Sequence, residues 1–332
     1  MQTRFRVLTV VLLAAAVVVP AARGDGGPSP GISLDRTGIT DPARGLAYST
    51  EVEGKVTSLL VRNQSGGIVR TRVLDRIYGV PFVTYNGTKG GLSRDGRTLV
   101  LAQSQQGAGL AATSRLMVLD TRTLRTRSTI DLKGDFSFDA LSPDARTLFL
   151  IQHTSAGDYE RYRVRAYDLA QGRLLPNPIV DKTEPNMRGQ PLVRLVGPGG
   201  AWVYTLYGHQ GGEPFVHALD TVHASARCLD VDWDGNQNLL WSARLKLGDR
   251  KLNVLTKAGK RIAVLELQPR RASGLGAGWL SAIAAMALAG AALVLWLLRG
   301  RGRLTLSRLA IHSPWSSTRP NGARTPTRSG SG

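Results

Sequence analysis

An all-β fold is what the sequence predicts, and three observations carry that prediction. Leu92-Ser93-Arg94-Asp95-Gly96-Arg97-Thr98-Leu99-Val100-Leu101 returns as Leu141-Ser142-Pro143-Asp144-Ala145-Arg146-Thr147-Leu148-Phe149-Leu150, each time a polar corner feeding an apolar run. Five apolar alternating strands run into a polar residue and a turn, ending at Asn63, Asp120, Asp168, Asp220 and Thr256. Helix-period patterns are scarce in the middle of the chain, where short apolar runs are separated by Gly, Asp, Asn and Pro.

The intervals between the five strand ends are the size of a four-stranded antiparallel unit, and a second strand follows the corners at 68–74, 125–132 and 261–267. A degraded corner stands at Gly197-Pro198-Gly199-Gly200. One such sheet cannot bury both its faces; repeating it around an axis hides the faces and shortens the exposed edges. The expected architecture is therefore a β-propeller of five or six four-stranded blades over residues 43–268. The Ser-x-Asp-x-Arg corner, followed some twenty residues later by an apolar strand ending in Asp, resembles the blade signature of bacterial YVTN and WD-repeat-like propellers. Arg94 stands where that signature has Pro, and Ala145 where it has Gly; the first and last units lack the corner. The resemblance implies a scaffold put to many uses, and a fold by itself licenses no function.

The ends of the chain carry a different message. Residues 1–24 combine Arg4 and Arg6, an apolar run from Val7 to Val19 and Pro20-Ala21-Ala22, the layout of a secretory signal peptide. Residues 25–42 read as a linker with a candidate ring-closing strand. After a juxtamembrane linker at 269–278, residues 279–298 are uncharged and of bilayer-spanning length, with Trp near each end. Arg299, Arg301, Arg303 and Arg308 follow at once, which sets the C-terminal tail, 299–332, in the cytoplasm and the propeller outside. The tail's Ser, Thr, Pro, Arg and Gly content predicts disorder. Ser281, Ala285 and Ala289 put small residues one turn apart on the span, a spacing that permits helix pairing and that an alanine-rich segment also produces by chance. The localisation expected is thus the cell membrane, with a single pass.

Of the formal +19 charge, three Arg lie in the first 24 residues and seven in the tail, leaving +9 on residues 25–278. Arginines there are scattered along strand edges without interleaved aromatics, so nucleic acid is not the expected partner. A protein or an anionic cell-envelope ligand is. The single cysteine, Cys228, forms no intramolecular disulfide and is expected to be buried as a small hydrophobe.

The sharpest chemical motif is the stretch Asp230-Val231-Asp232-Trp233-Asp234-Gly235-Asn236-Gln237-Asn238. Oxygen ligands from Asp230, Asp232, Asp234, Asn236 and Asn238, with a glycine at the bend, suit calcium. The competing reading is a further copy of the blade corner with acidic neighbours. His217 and Asp220, three apart on a strand, face opposite sides and do not suit zinc. His153 reads as the solvated end of a strand. No nucleophile elbow, zinc-protease helix or phosphate loop is present in the sequence. The function expected is an interaction or ligand-binding scaffold at the cell surface. A hydrolase or lactonase using the propeller funnel is the alternative, because dispersed catalytic residues would leave no linear motif.

Overall fold

The computed structural model describes residues 29–105, 109–182, 186–209 and 211–267. The chain divides into Met1–Gln268 and Pro269–Gly332, and every described residue belongs to the first unit. The expected signal peptide, membrane span, juxtamembrane linker and tail lie outside the described residues. Among the described residues, no helix is long and apolar enough to cross a membrane.

The described chain is all β, in five antiparallel sheets. The first contains β2 (Ile39–Asp41), β3 (Leu46–Glu53), β4 (Val56–Asn63) and β5 (Ile68–Leu74) in that order. The second contains β1 (Ile32–Ser33), β6 (Tyr78–Pro81), β7 (Thr98–Gln103), β8 (Thr113–Asp120) and β9 (Thr126–Lys133). The third is β10 (Asp135–Leu141), β11 (Thr147–His153), β12 (Tyr162–Asp168) and β13 (Arg173–Leu174). The fourth is β14 (Gln190–Val196), β15 (Trp202–Gly208), β16 (Phe215–Asp220) and β17 (Ser225–Asp230). The fifth has β18 (Arg244–Leu247), β19 (Lys251–Leu255) and β20 (Arg261–Glu266).

Four strands per sheet therefore holds for three sheets of five. The second sheet gains a strand because Ile32 and Ser33 pair with Pro81 and Val80. Gly79 permits that approach, since a Cβ there would lie 2.8 Å from Ile32 Cβ and from Ser33 O. The candidate ring-closing segment thus supplies β1 to the second sheet and β2 to the first. The fifth sheet has three strands because the chain entering it forms a loop and a short 3-10 turn, Gln237–Ser242, which bury Val231 and Leu240 without a ladder.

Continuous apolar runs explain how the sheets stack. On β7, Leu99 and Leu101 join a core shared with the first sheet, while Val100 joins one shared with the third. On β11, Leu148 and Leu150 point toward the second sheet, Phe149 and Ile151 toward the fourth. On β15, Val203 and Tyr207 face the third sheet, Tyr204 and Leu206 the fifth. Side chains alternate across a strand, so an unbroken apolar run feeds two cores at once. The three middle sheets are packed on both faces in this way, in sequence order.

The repeated corner folds the same way twice. Ser93 Oγ donates to Asp95 Oδ1 at 2.6 Å, Asp95 Oδ1 accepts from Arg97 N at 3.0 Å, and Ser93 Oγ accepts from Thr98 N at 2.9 Å. The second copy repeats these bonds through Ser142, Asp144, Arg146 N and Thr147 N at 2.6, 3.1 and 2.9 Å. The degraded corner keeps only the backbone part, Gly197 N to Trp202 O and Gly200 N to Gly197 O. Gly96 at 64° and Ala145 at 54° are the positive-φ residues of the two full corners, and the degraded corner has two, Gly199 at 78° and Gly200 at 71°.

Ala145 is the strained copy, because an L residue in the left-handed region gives up about 1–2 kcal/mol. Ala145→Gly is expected to stabilise the fold by about 0.5–1 kcal/mol after the added unfolded-state entropy is subtracted. The reverse change, Gly96→Ala, has the opposite sign, since its Cβ would meet Asp41 Oδ2 at 2.1 Å and Arg44 Nη1 at 2.6 Å. Paired thermal melts check both signs.

Candidate functional site: a basic inter-sheet groove

The expected calcium stretch runs extended past the end of β17, with Val231 and Trp233 turned inward. Asp230, Asp232, Asp234, Asn236 and Asn238 are all exposed. Asn236 Oδ1 accepts from Asn238 N at 2.9 Å and caps the 3-10 turn. Among the described residues, no group of three His, Cys, Asp or Glu is placed to hold a metal ion. Along the extended run 230–234 the carboxylates share the solvent face but stand about 6.5–7 Å apart from one to the next, which is the physical reason they do not converge.

The histidines are placed otherwise than as a cluster. Asp220 accepts the backbone N–H groups of Val222 and His223 on Oδ1, both at 3.0 Å, and its Oδ2 meets His223 Nδ1 at 3.0 Å. His209 Nδ1 lies 2.6 Å from Glu160 Oε2. His217 is turned away into the interface between the third and fourth sheets, opposite Cys228 on β17. Cys228 itself is half-buried, and its N–H donates to Asp181 Oδ2 at 2.8 Å. His153, expected at a solvated strand end, is instead the buried last residue of β11. The ring nitrogens of His153 and His217 make no hydrogen bond among the described residues.

Around these two rings the interface is polar at its centre. Asp139, the extra residue of a bulge between Phe138 and Ala140, receives the guanidinium of Arg194, and both are buried. Arg194 Nε also donates to Thr205 Oγ1 at 3.0 Å. Tyr162 and Tyr207 stack at 5.0 Å, and Tyr207 stacks on Phe215 at 5.2 Å. Where the first strands of the second, third and fourth sheets meet, the cavity is only about 10 Å³, lined by Phe82, Val83, Phe138, His153 and Tyr162 among others. That is room for about one water molecule. Tyr85, from the loop after β6, crosses to the fourth sheet, where its N–H donates to Pro191 O at 2.8 Å; its ring meets Trp241 edge-on at 5.9 Å.

Two roomier concave features lie elsewhere. A groove of about 670 Å³ runs between β5 of the first sheet and the β8–β9 turn of the second, lined by Arg70, Thr71, Arg72, Thr123, Leu124 and Arg125 together with Thr126. Arg70 Nη1 donates to Thr121 O at 2.9 Å and to Arg122 O. Arg72 donates to Leu124 O through Nη1 and to Thr126 Oγ1 at 2.8 Å through Nη2. These bonds fix two guanidinium groups along one wall, and Arg125 is exposed on the other. No carboxylate lines the groove. A second space of similar volume, beside Lys55, Arg76 and Arg115, also has Asp75 and Asp131 on its walls, and Arg115 is held by Asp131.

In the sequence these arginines are scattered, because they lie about one repeat apart. Arg70 reaches Arg122, 52 residues on, and Arg72 reaches Leu124, again 52 on. Arg44 reaches Gly96 across the same interval, and Arg194 reaches Asp139 across 55. Stepping each arginine by one repeat period is the signal that would have found the groove.

No family model and no curated protein matches the chain. Solved structures similar to it include hydrazine synthase of Kuenenia stuttgartiensis, 17% identical over 69% of this chain and 63% of that one, TM-score 0.44. TolB of Acinetobacter baumannii is 13% identical over 68% of this chain and 52% of that one, TM-score 0.39. The Dos1 propeller is 11% identical over 73% of this chain and 63% of that one, TM-score 0.39. The chain thus spans less than two thirds of the length of each.

Burial pushes both His153 and His217 down to a pKa of about 4. Unfolded histidine titrates near 6.5, so the unfolded state takes up these protons first as pH falls. Stability contributed by the neutral rings is complete above about pH 6.5 and is lost as pH drops toward 4, by up to about 1.4 kcal/mol per pH unit for each histidine. Burial pushes Asp35 up, but hydrogen bonds from Lys89 and Thr37 outweigh it and hold Asp35 well below the usual carboxylate range; the Arg127 guanidinium chiefly does the same for Asp120, so both act only at lower pH. Melting temperature should therefore fall between pH 6.5 and 4.5, and His217→Phe should flatten the slope; an unchanged slope would remove His217 as its source.

Proposed function

We propose that this chain is a membrane-anchored binding module, its five sheets forming the blades of a propeller that takes an anionic cell-envelope ligand in the basic groove. The observation that carries the reading is that groove, with Arg70, Arg72 and Arg125 on its walls and no acid among them. Guanidinium is always charged and offers five N–H donors in a planar fork, matched to phosphate, sulfate and carboxylate groups. Arg70 and Arg72 are already anchored on carbonyl oxygens, so little side-chain freedom is lost on binding.

The space lined by Phe82, Phe138, His153 and Tyr162, about 10 Å³, is too small for a substrate, and the groove beside β5 is the roomier candidate. The remainder of the proposal comes from sequence. The signal-like start and the span at 279–298 would put the groove outside the cytoplasm, close to anionic headgroups and phosphate-rich polymers.

Full-length protein in detergent is expected to be retained on immobilised polyphosphate at low salt and released as ionic strength rises past about 0.15 M, where screening shortens to about 8 Å. Replacing the exposed groove arginine, Arg125→Gln, should weaken retention about three- to fivefold with no change in melting temperature. Equal retention of the variant and the parent protein would overturn the assignment.

A further inference from the structure

The β5 edge of the first sheet differs from the last-strand edges of the second, third and fourth sheets. β13 is two residues long, and β17 has its Cys228 N–H taken by Asp181. β9 shows Arg127, Thr129, Asp131 and Lys133 as exposed residues, a charged edge of the kind that discourages pairing. β5 instead exposes Ile68, Val69 and Val73, the last at 64%. No hydrogen bond from its backbone to anything beyond its own sheet is present among the described residues. Its two arginines do not guard the edge, because both are drawn back onto the carbonyl oxygens of the second sheet.

The order of residues on β5 says what fits there. Ile68-Val69-Arg70-Thr71-Arg72-Val73-Leu74 reads the same in both directions in residue class, centred on Thr71. β5 carries a bulge at Val69, because Arg70 pairs with Val61 and Ile68 with Arg62. An antiparallel strand of the same sequence, placed by a two-fold axis at Thr71, sets Thr71 against itself and Val69 against Val73, with Ile68 and Leu74 left outside the paired stretch. We propose that β5 is a self-complementary edge through which two copies of this chain pair, joining their first sheets into one of eight strands. Cross-strand pairs of β-branched residues are favourable neighbours. Arg70 would face Arg72 of the other copy, a like-charge contact relieved by the guanidinium groups' withdrawal to Thr121, Arg122 and Leu124.

A two-fold contact of this kind is isologous and closes at the dimer. Five paired residues, 69–73, bury less than the roughly 1,000 Å² of a persistent interface. The dimer is therefore concentration-dependent, and confinement of copies to one surface promotes it. This inference is independent of ligand binding in the groove: the cross-linking below contains no anion.

The register makes it testable. In full-length protein with Cys228→Ser, Thr71→Cys places two thiols across the axis at a Cα separation of about 4.5–5.5 Å, within disulfide range. Mild oxidation should yield a disulfide-linked dimer at least tenfold faster than for Thr129→Cys on β9, a control exposed on the neighbouring edge. Val69→Cys alone should cross-link slowly, whereas a mixture of Val69→Cys and Val73→Cys proteins should link quickly. Adding Val73→Lys to Thr71→Cys should abolish the fast reaction while far-ultraviolet circular dichroism stays unchanged. Cross-linking of Thr71→Cys no faster than Thr129→Cys, or Val69→Cys linking to itself fastest, would overturn the proposal.

Discussion

Everything in this structure depends on strands that are apolar on consecutive positions and so must be covered on both faces. Leu99, Val100 and Leu101, or Leu148 through Ile151, cannot lie on a sheet with one solvated side, because alternate residues would then be left in water. Stacking sheet on sheet satisfies them, and each middle sheet becomes the shared wall of two cores. The end sheets differ: Tyr48, Leu59, Val61 and Leu74 of the first commit to a single core, as do Leu245, Leu252, Val254 and Leu265 of the fifth.

Polar chemistry is then confined to what the stack leaves over. Corners hold their hydrogen bonds locally, through Ser93 with Asp95 and Ser142 with Asp144, so they can recur without help from neighbouring sheets. Between sheets, long cationic side chains span the outer gap that apolar residues do not fill. Arg70 and Arg72 bind carbonyl oxygens there and leave a basic groove. Arg194 does the same deeper in, where Asp139 offsets its charge. The outer gap stays basic because no acid accompanies its arginines, and the inner one is neutralised.

The buried histidines belong to the same division. His153 and His217 occupy positions that packing, rather than titration, has selected, and burial keeps their rings neutral near physiological pH. They sit at one interface, between the third and fourth sheets, with Tyr162 and Tyr207 stacked beside them. Acid acts on that seam first, since charging a ring without a hydrogen-bond partner in a dry interface is costly.

By itself the sequence determined the β class, the repeat, the strands ending at Asn63, Asp120, Asp168 and Asp220, the extent of β5 and the bonding of the two Ser-x-Asp corners. All of these are set by residues within a few positions of one another, so periodicity and turn chemistry report them directly. Tertiary structure decided the rest. It turned the carboxylates of Asp230, Asp232 and Asp234 to solvent, took His153 inside, moved β1 into the second sheet and gathered Arg70, Arg72 and Arg125 on one groove. Those outcomes depend on which sheet lies against which, and two residues about fifty positions apart become neighbours only after the sheets have stacked.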